Sequence, residues 1–235
     1  MKNLAIIPAR GGSKRIPRKN IRNFLGKPII SYSIEAALKS EIFDDVMVST
    51  EDEEIASISK SLGATVPFLR SNETASDFAT TAEVILEVIE EYKKRGEKFD
   101  NVCCIYATAP FVTVEKIKLG MEPLLEKKAN FVFPVVRFSY PPQRALVIRN
   151  MKAKLMYPEF ENSRSQDLEL LYHDCGQFYC ISCFEFVENK GMLSKDAIPL
   201  IYPESEVQDI DVEEDWRIAE MKYMLMQEKY NEMCR

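Results

Sequence analysis

Hydrophobic and polar positions along the chain form two kinds of segment. Short runs of consecutive apolar residues, typical of buried strands, separate longer stretches in which apolar residues recur every three or four positions, as on one face of a helix. The short runs predict strands at residues 4–7, 46–50, 102–106, 131–136 and 177–181, with further extended pieces at 65–69 and 199–203. The longer stretches predict helices at residues 28–39, 51–62, 80–95, 114–127 and 215–233.

The order of these segments indicates the fold class. Strands that alternate with helices predict an α/β protein with a Rossmann-like, mostly parallel sheet and helices on both of its faces. Ligands of such sheets bind at the carboxyl ends of the strands. The pattern loosens between residues 138 and 171, where a turn, a short hairpin and a polar stretch follow one another. We therefore expect residues 1–235 to form one domain, with 138–171 as an inserted excursion.

Length and charge narrow the function classes. A chain of 235 residues with 46% hydrophobic residues can bury the core of one sizeable domain. Its net charge of −6 argues against a general nucleic-acid-binding protein, because affinity for a polyanion depends on neutralising phosphates. The opening apolar run is far shorter than the ~20 residues that cross a bilayer, and six cysteines do not suggest a secreted disulfide framework here. We expect a cytoplasmic protein with reduced thiols and no membrane partner.

The first strand leads into a loop rich in glycine and positive charge. Pro8 ends the apolar run, and Gly11 and Gly12 allow the backbone to approach a ligand closely. Amide N–H groups in a glycine turn, surrounded by cations, suit a triphosphate because they donate hydrogen bonds and neutralise charge. The loop has neither the Walker A spacing nor G-x-G-x-x-G, and the alternative is a basic surface turn. So many cations in an acidic protein favour a small anionic ligand; they are Arg10, Lys14, Arg15, Arg18, Lys19 and Arg22.

Two carboxylates near the end of the chain predict a metal site. Asp209 and Asp211 lie in a stretch of alternating polar and apolar residues, and alternation places both on one side of an extended segment. Mg²⁺ is typically held by one or two carboxylates together with substrate phosphates and water. The alternative is a solvated acidic strand end, because the surrounding sequence is rich in glutamate.

A zinc site is the less favoured interpretation of the cysteines. His173, Cys175, Cys180 and Cys183 include one C-x-x-C pair, but no second pair of ligands follows it. The run 178–186 is typical of a strand, in which a three-residue offset directs side chains to opposite faces. We therefore expect the cysteines to be small core residues.

The loop after the first strand also carries a resemblance to a known family. Its sequence A-I-I-P-A-R-G-G-S-K-R-I-P-R-K-N resembles the N-terminal signature of the cytidylyltransferases that activate nine-carbon acidic sugars, the CMP-sialic acid synthetase family. The sialate enzymes usually carry Gly where this chain has Arg15, and Arg there is more similar to the pseudaminic acid branch. The resemblance implies a nucleotide-diphospho-sugar transferase type of fold. It also implies a nucleotidyltransferase reaction in which CTP gives CMP to the anomeric hydroxyl of a nonulosonic acid and pyrophosphate is lost.

The resemblance implies roles for residues at the nucleotide end. Arg10 and Lys14 would be catalytic, holding the triphosphate and stabilising charge as pyrophosphate leaves, and no general base is assigned. Mg²⁺ would bind Asp209 and Asp211. The family has a turn near the cytosine that resembles Gln-Pro-Thr-Ser-Pro. The corresponding residues here are Tyr106-Ala107-Thr108-Ala109-Pro110. The implied nucleotide-binding residues are Pro8, Ala9, Arg10, Gly11, Gly12, Ser13, Lys14, Lys19, Asn20, Arg70, Ser71, Asp77, Thr80, Tyr106 and Thr108.

Two further segments resemble the sugar-facing stretches of pseudaminic acid cytidylyltransferases, P-P-Q-R at 141–144 and D-x-G-Q-F-Y at 174–179. An arginine there suits the sugar carboxylate, because its fork of donors matches two oxygens. The implied sugar-binding residues are Arg137, Tyr140, Gln143, Arg144, Asp174, Gln177 and Tyr179.

The resemblance leaves three alternatives open. The acceptor is expected to be pseudaminic acid, used for surface or flagellin glycosylation, but N-acetylneuraminic or legionaminic acid would need the same donors and acceptors pointing elsewhere. A different class of function is a non-catalytic nucleotide-binding module on the same fold. Family precedent also favours a homodimer, with 138–171 at its interface.

Overall fold

The structure is a computed structural model that describes residues 1–189 and 196–233. The strands are β1 (Asn3–Pro8), β2 (Asn23–Phe24), β3 (Lys27–Pro28), β4 (Asp45–Ser49), β5 (Asn101–Ile105), β6 (Phe131–Arg137), β7 (Leu146–Arg149), β8 (Lys152–Leu155), β9 (Tyr172–Asp174), β10 (Phe178–Ser182) and β11 (Ala197–Tyr202). The α-helices are α1 (Ile30–Ser40), α2 (Glu53–Ser61), α3 (Thr81–Lys94), α4 (Val114–Leu125), α5 (Cys183–Asn189) and α6 (Glu213–Met233). Short 3₁₀ turns occupy Lys19–Ile21, Pro142–Arg144, Pro158–Phe160, Ser165–Asp167 and Glu204–Glu206.

A seven-stranded sheet organises the domain. Its order is β11-β6-β10-β5-β1-β4, and β9 also pairs with β6. β1 is parallel to both β4 and β5, and β11 is parallel to β6, which confirms the predicted α/β fold with a mostly parallel sheet. β9 and β10 run antiparallel to β6, and β10 also runs antiparallel to β5. Because antiparallel neighbours need no crossover helix, the chain can return from 138–171 directly into the sheet.

The two faces of the sheet carry separate apolar layers. On β1 and β5, alternate side chains belong to alternate layers: Ile7 and Cys103 face one, whereas Ile6 and Cys104 face the other. The first layer includes residues of α1, α2 and α4, and the second includes residues of α3 and α5. A third cluster, which includes Trp216, packs α6 against the basic loop and the start of α1. The sheet is thus covered on both faces, and the loops at its strand ends remain open to ligands.

The predicted run 178–186 is wrong as a single strand. β10 ends at Ser182 and α5 begins at Cys183. Cys180 packs in the first layer and Cys183 in the second, so the two side chains still lie on opposite sides of the sheet. Of the extended piece predicted at 65–69, only Thr65 pairs, through a parallel bridge to Met47. The other predicted helices and sheet strands are confirmed within a few residues.

Residues 138–171 leave the sheet after β6 and return at β9. The Phe138 N–H donates to the Leu171 carbonyl at 3.0 Å, which closes the base of this excursion. Its hairpin, β7 and β8, exposes three large apolar side chains, Leu146, Ile148 and Met151. Nowhere in the described ranges is a helix both long and apolar enough to span a bilayer.

Candidate active site

A cleft of about 350 Å³ opens at the carboxyl ends of β1 and β5, where the fold predicts a ligand site. The basic loop after β1 forms one wall, and the segment that leads into α3 forms the opposite wall. Its lining residues are Pro8, Arg10, Ser13, Lys14, Arg15, Ile16, Lys19, Asn20, Arg70, Thr74, Ser76, Asp77, Ala79, Thr81, Val84, Tyr106, Ala107, Thr108 and Asp211.

Hydrogen bonds between side chains and backbone groups fix the start of the basic loop. The amide of the buried Asn20 donates to the Arg10 carbonyl at 2.9 Å and so closes the loop on itself. The Gly11 N–H donates to a Glu51 carboxylate oxygen at 2.7 Å. A Cβ at Gly11 would lie 2.5 Å from an Asp52 carboxylate oxygen, so only glycine fits beside these acids. The Gly11 amide that was predicted to bind phosphate is therefore bonded to a carboxylate of the protein.

One carboxylate binds both residues that were predicted to be catalytic. The Arg10 guanidinium lies 2.6 Å from one Asp77 oxygen, and the Lys14 ammonium pairs with the other. Hydrogen bonds from Lys14 and then Arg10 hold the pKa of Asp77 below its usual value. Asp77 thus occupies the position of an anion between the two cations, where a phosphate group would be expected.

The remaining cations of the loop are also paired with carboxylates. Arg15 binds Asp211 at 2.8 Å, and the Lys19 ammonium lies 3.6 Å from the same oxygen. The other two cations anchor the loop to neighbouring helices: Arg18 pairs with Asp52 and Glu54 of the α2 N-terminus, and Arg22 pairs with Glu213 and lies over the Trp216 ring.

Arg70 is the buried cation of the cleft, with 7% of its surface exposed. Its guanidinium donates to the hydroxyl and the carbonyl of Ser49, at 3.0 and 2.6 Å. Burial lowers its pKa, which the negative charges of Glu51 and Glu87 oppose. Arginine remains charged in this setting, so Arg70 supplies a fixed positive charge at the end of β4.

The predicted nucleotide residues divide into those in the cleft and those beside it. Ten line it, whereas five do not: Ala9, Gly11, Gly12, Ser71 and Thr80. Thr80 caps α3 and exchanges hydrogen bonds with Glu83, so the helix begins directly after it. The sequence reasoning missed Thr81, which lines the cleft and shares a 2.9 Å hydrogen bond with the Tyr106 hydroxyl.

Asp209 and Asp211 lie close together, although no strand forms there. Desolvation and the nearby Asp211 carboxylate raise the pKa of Asp209, because two negative charges in one place disfavour ionisation. Asp211 reaches the cleft, and Asp209 approaches the turn at Gly176, where its carboxyl carbon lies 3.5 Å from the position of an added Cβ. Two hard oxygen donors that repel each other are a donor set that Mg²⁺ fits. Across the described residues no group of three His, Cys, Asp or Glu side chains is placed to hold a metal, so a divalent ion here would rely on substrate oxygens as well.

The residues predicted to bind sugar lie in two places. Asp174 accepts hydrogen bonds from the Gly176 N–H and the Tyr179 hydroxyl, both at 2.7 Å, so its carboxylate is held in a fixed orientation. Burial raises the pKa of Tyr179, which stays protonated as a donor. Gln177 is 2% exposed, and its amide nitrogen has no hydrogen-bond partner among the described residues. This group lies beside the Asp209 pair, through Gly176.

The second group lies at the end of β6 and in the excursion. Gln143 donates to the Glu169 carbonyl at 2.9 Å, and Arg144 donates to the Ser163 carbonyl at 3.0 Å. Both side chains therefore stabilise residues 138–171 by contacts within that segment. Arg137 lines a separate cavity of about 330 Å³ near the end of β6, and Tyr140 is exposed. In the single chain, none of the seven residues predicted to bind sugar lines the cleft.

The sequence and the fold are both similar to those of known proteins. A family model described as cytidylyltransferase matches residues 4–171. The chain is 42% identical to a pseudaminic acid cytidylyltransferase of Campylobacter jejuni, over 97% of this chain and 99% of that protein. It is 34% identical to a CMP-N,N'-diacetyllegionaminic acid synthase of Legionella pneumophila, again over 97% and 99%. Among solved structures, a CMP:2-keto-3-deoxy-manno-octonic acid synthetase complexed with CTP superposes with a TM-score of 0.68 over 97% of this chain and 100% of that one, at 16% identity.

Proposed function

The chain belongs to the cytidylyltransferase family, and on that premise we propose that it transfers CMP from CTP to the anomeric hydroxyl of a nonulosonic acid, with pseudaminic acid as the acceptor. The observation that carries the proposal is the cleft in which Arg10 and Lys14 face one carboxylate, with the Asp209 and Asp211 pair at its edge. A module that only bound a nucleotide would not require both the cations and the acid pair.

The reaction that this cleft supports is a displacement at phosphorus. The anomeric oxygen of the sugar forms a bond to the α-phosphorus of CTP, and the bond from that phosphorus to the bridging oxygen of pyrophosphate breaks. The hydroxyl gives its proton to solvent water, and pyrophosphate leaves with the electron pair of the broken bond and the negative charge. Arg10 and Lys14 would bind the triphosphate and stabilise the charge that develops on the leaving group. Such transfers depend mainly on positioning and electrostatics, so a dedicated strong base is not needed.

We propose that Asp209 and Asp211 hold Mg²⁺. The support is the fit described above: two carboxylates that repel each other, one of them reaching the cleft. When bound, the ion would supply positive charge to the phosphate oxygens and lower the pKa of a hydroxyl that it contacts. Asp211 would then exchange its present partners, Arg15 and Lys19, for the ion, and both cations would be released towards the phosphates.

The choice of pseudaminic acid is supported by similarity and by local sequence. Identity is higher to the pseudaminic acid enzyme than to the legionaminic acid enzyme, 42% against 34% over the same share of the chain. The fixed Asp174 carboxylate offers acceptors beside the acid pair, and the unpartnered amide of the buried Gln177 lies in the same turn. These groups suit hydroxyl and acetamido substituents of a sugar.

The decisive experiment measures pyrophosphate release from CTP and Mg²⁺ with pseudaminic, N-acetylneuraminic and legionaminic acids supplied separately. We expect release with pseudaminic acid alone. Release with another sugar would keep the reaction and contradict the acceptor. No release with any of the three, from a protein that is folded by circular dichroism, would favour the binding module.

A matched pair of variants tests the role of Lys14. Lys14→Ala is expected to lower turnover by orders of magnitude and leave the unfolding temperature unchanged, because the side chain is 79% exposed and contributes charge rather than packing. Lys118→Ala removes an exposed lysine from α4, outside the cleft, and is the control. Equal turnover in wild type and Lys14→Ala would remove Lys14 from the mechanism.

We further propose a cytoplasmic homodimer. The exposed Leu146, Ile148 and Met151 of the β7–β8 hairpin support contact with a second copy through 138–171, since a monomer gains nothing by exposing them together. The five described cysteines are unpaired and buried, which suits a reducing compartment. Ile148→Asp should convert a dimer to a monomer in analytical ultracentrifugation; a monomeric wild type would contradict the assembly.

A further inference from the structure

The segment that carries the two aspartates has no regular structure of its own. Residues 207–212 connect the 3₁₀ turn Glu204–Glu206 to α6 and belong to no strand. Two apolar side chains, Val207 and Ile210, are buried in different clusters. At the far end, the Asp215 carboxylate accepts hydrogen bonds from the N–H groups of Asp211 and Val212, both at 2.9 Å. Carbonyls in such a segment need donors from elsewhere in the chain.

Lysines from three separate elements supply those donors. Lys116 of α4 donates to the Glu206 carbonyl at 3.3 Å, and Lys222 of α6 donates to the Val207 carbonyl at 3.0 Å. Lys19 of the basic loop donates to the Ile210 carbonyl at 2.5 Å. Three ammonium groups therefore hold the backbone on either side of Asp209.

Lys116 is the most buried of the three. Only 9% of its side chain is exposed, and its ammonium also lies 3.2 Å from a Glu206 carboxylate oxygen and 4.5 Å from the centre of the Tyr202 ring. A lysine is rarely buried to this degree unless its charge is satisfied, and an apolar residue would fill the same space at lower cost. Packing alone does not explain a lysine here, whereas the need for a charged donor to the Glu206 backbone does.

We propose that Lys116 is a positioning residue for the Asp209 and Asp211 pair, and that it acts with Lys222 by fixing the backbone of residues 206–208. The inference rests on the proposed metal site. Lys116 does not contact the substrate; it determines where the two carboxylates point. Removing a group that is hydrogen-bonded to a metal ligand typically changes metal affinity by about ten- to a hundredfold, and Lys116 would act on the same ligands through the backbone that carries them.

The test compares Lys116→Met with wild type and with Lys118→Met, an exposed control on the same helix. Methionine keeps the unbranched side chain as far as Cε and removes the ammonium group with its charge. Mn²⁺ binding is measured by electron paramagnetic resonance in the presence of CTP, and the KM for CTP is measured separately. We expect the Kd for Mn²⁺ to rise about ten- to a hundredfold in Lys116→Met, with the KM for CTP unchanged and the control equal to wild type.

Two outcomes would overturn the proposal: an unchanged Kd for Mn²⁺ in folded Lys116→Met, or a parallel loss of affinity for metal, CTP and sugar, which indicates general damage. If Lys116→Met does not fold, Lys222→Met decides by the same measurement, because that side chain is only partly buried and bonds to the next carbonyl. A wild type that binds Mn²⁺ but never turns over CTP would contradict the proposed reaction, and the comparison of metal affinities would still decide the role of Lys116.

Discussion

The substitution Asp77→Asn tests whether the Asp77 carboxylate competes with the triphosphate of CTP for Arg10 and Lys14. The Asp77 carboxylate bridges Arg10, at 2.6 Å, and Lys14, so both ion pairs must break before phosphate oxygens can take its place. The substitution keeps the shape of the side chain and removes its charge. We expect CTP to bind more tightly to the variant, because the competing anion is gone.

The size of the effect follows from exposure. The side chains of Asp77, Arg10 and Lys14 are 37%, 36% and 79% exposed, so solvent screens both pairs. Exposed ion pairs are individually weak, and we therefore expect the KM for CTP to fall by only about two- to fivefold. The fall should be largest at low ionic strength and should shrink as salt screens the wild-type pairs.

Initial rates at varied CTP concentration and at two salt concentrations measure this effect. Glu73→Gln is the matched control, since it removes one negative charge from the same exposed segment and Glu73 forms no ion pair with the loop cations within the described residues. A KM that rises in Asp77→Asn would refute the competition and would instead support Asp77 as a ligand of the nucleotide, the role that the family resemblance implies.

Two further predictions concern stability. Gly120→Ala should destabilise the chain by about 1–2 kcal/mol in urea unfolding. The new Cβ would lie 2.7 Å from the Phe178 ring, and this overpacking outweighs the gain in helix propensity. An unchanged unfolding midpoint would contradict the tight contact between α4 and β10. Asp52→Asn should cost about 1–2 kcal/mol at pH 7, since Arg18 lowers the pKa of Asp52 to about 2. A lowered pKa stabilises the fold above the unfolded value of about 3.9 and loses that effect as pH falls through the folded value. The difference between wild type and variant should therefore shrink between about pH 4 and pH 2, and a constant difference would exclude the charge as its cause.

The local pattern of apolar residues predicted most helices and strands. It failed where tertiary contacts determine the direction or the end of an element. The burial of β1 and β5 on both faces was predictable, because consecutive apolar residues fill both faces of a strand. The direction of β10 was not, since apolar runs look alike in parallel and antiparallel strands. The end of β10 was missed for a similar reason: α5 begins at Cys183 within a mostly apolar run, and only packing in the second core layer distinguishes its first turn from a strand.

The candidate site shows the same limit at the level of single side chains. The sequence predicted which cations gather after β1, but not their partners, because Arg15 meets Asp211 across 196 positions of sequence. Thr80 and Thr81 are chemically equivalent in the sequence, and the helix start alone decides that the first caps α3 and the second faces the cleft. Lys116 was missed because an amphipathic helix with two lysines gives no sign that one of them is buried.

The ion pairs of the basic loop divide its six cations into two groups with different roles. Four of the six line the cleft, and their carboxylates, Asp77 and Asp211, lie in the cleft with them. The other two, Arg18 and Arg22, pair with acids at the starts of α2 and α6 and do not reach the cleft. Like charges this close would repel one another and open the loop, so the paired acids keep it closed, and under the proposed function phosphates would replace Asp77 and Asp211 when CTP binds. The two scaffold pairs need no exchange, and they hold the shape of the loop while the other four cations change partners.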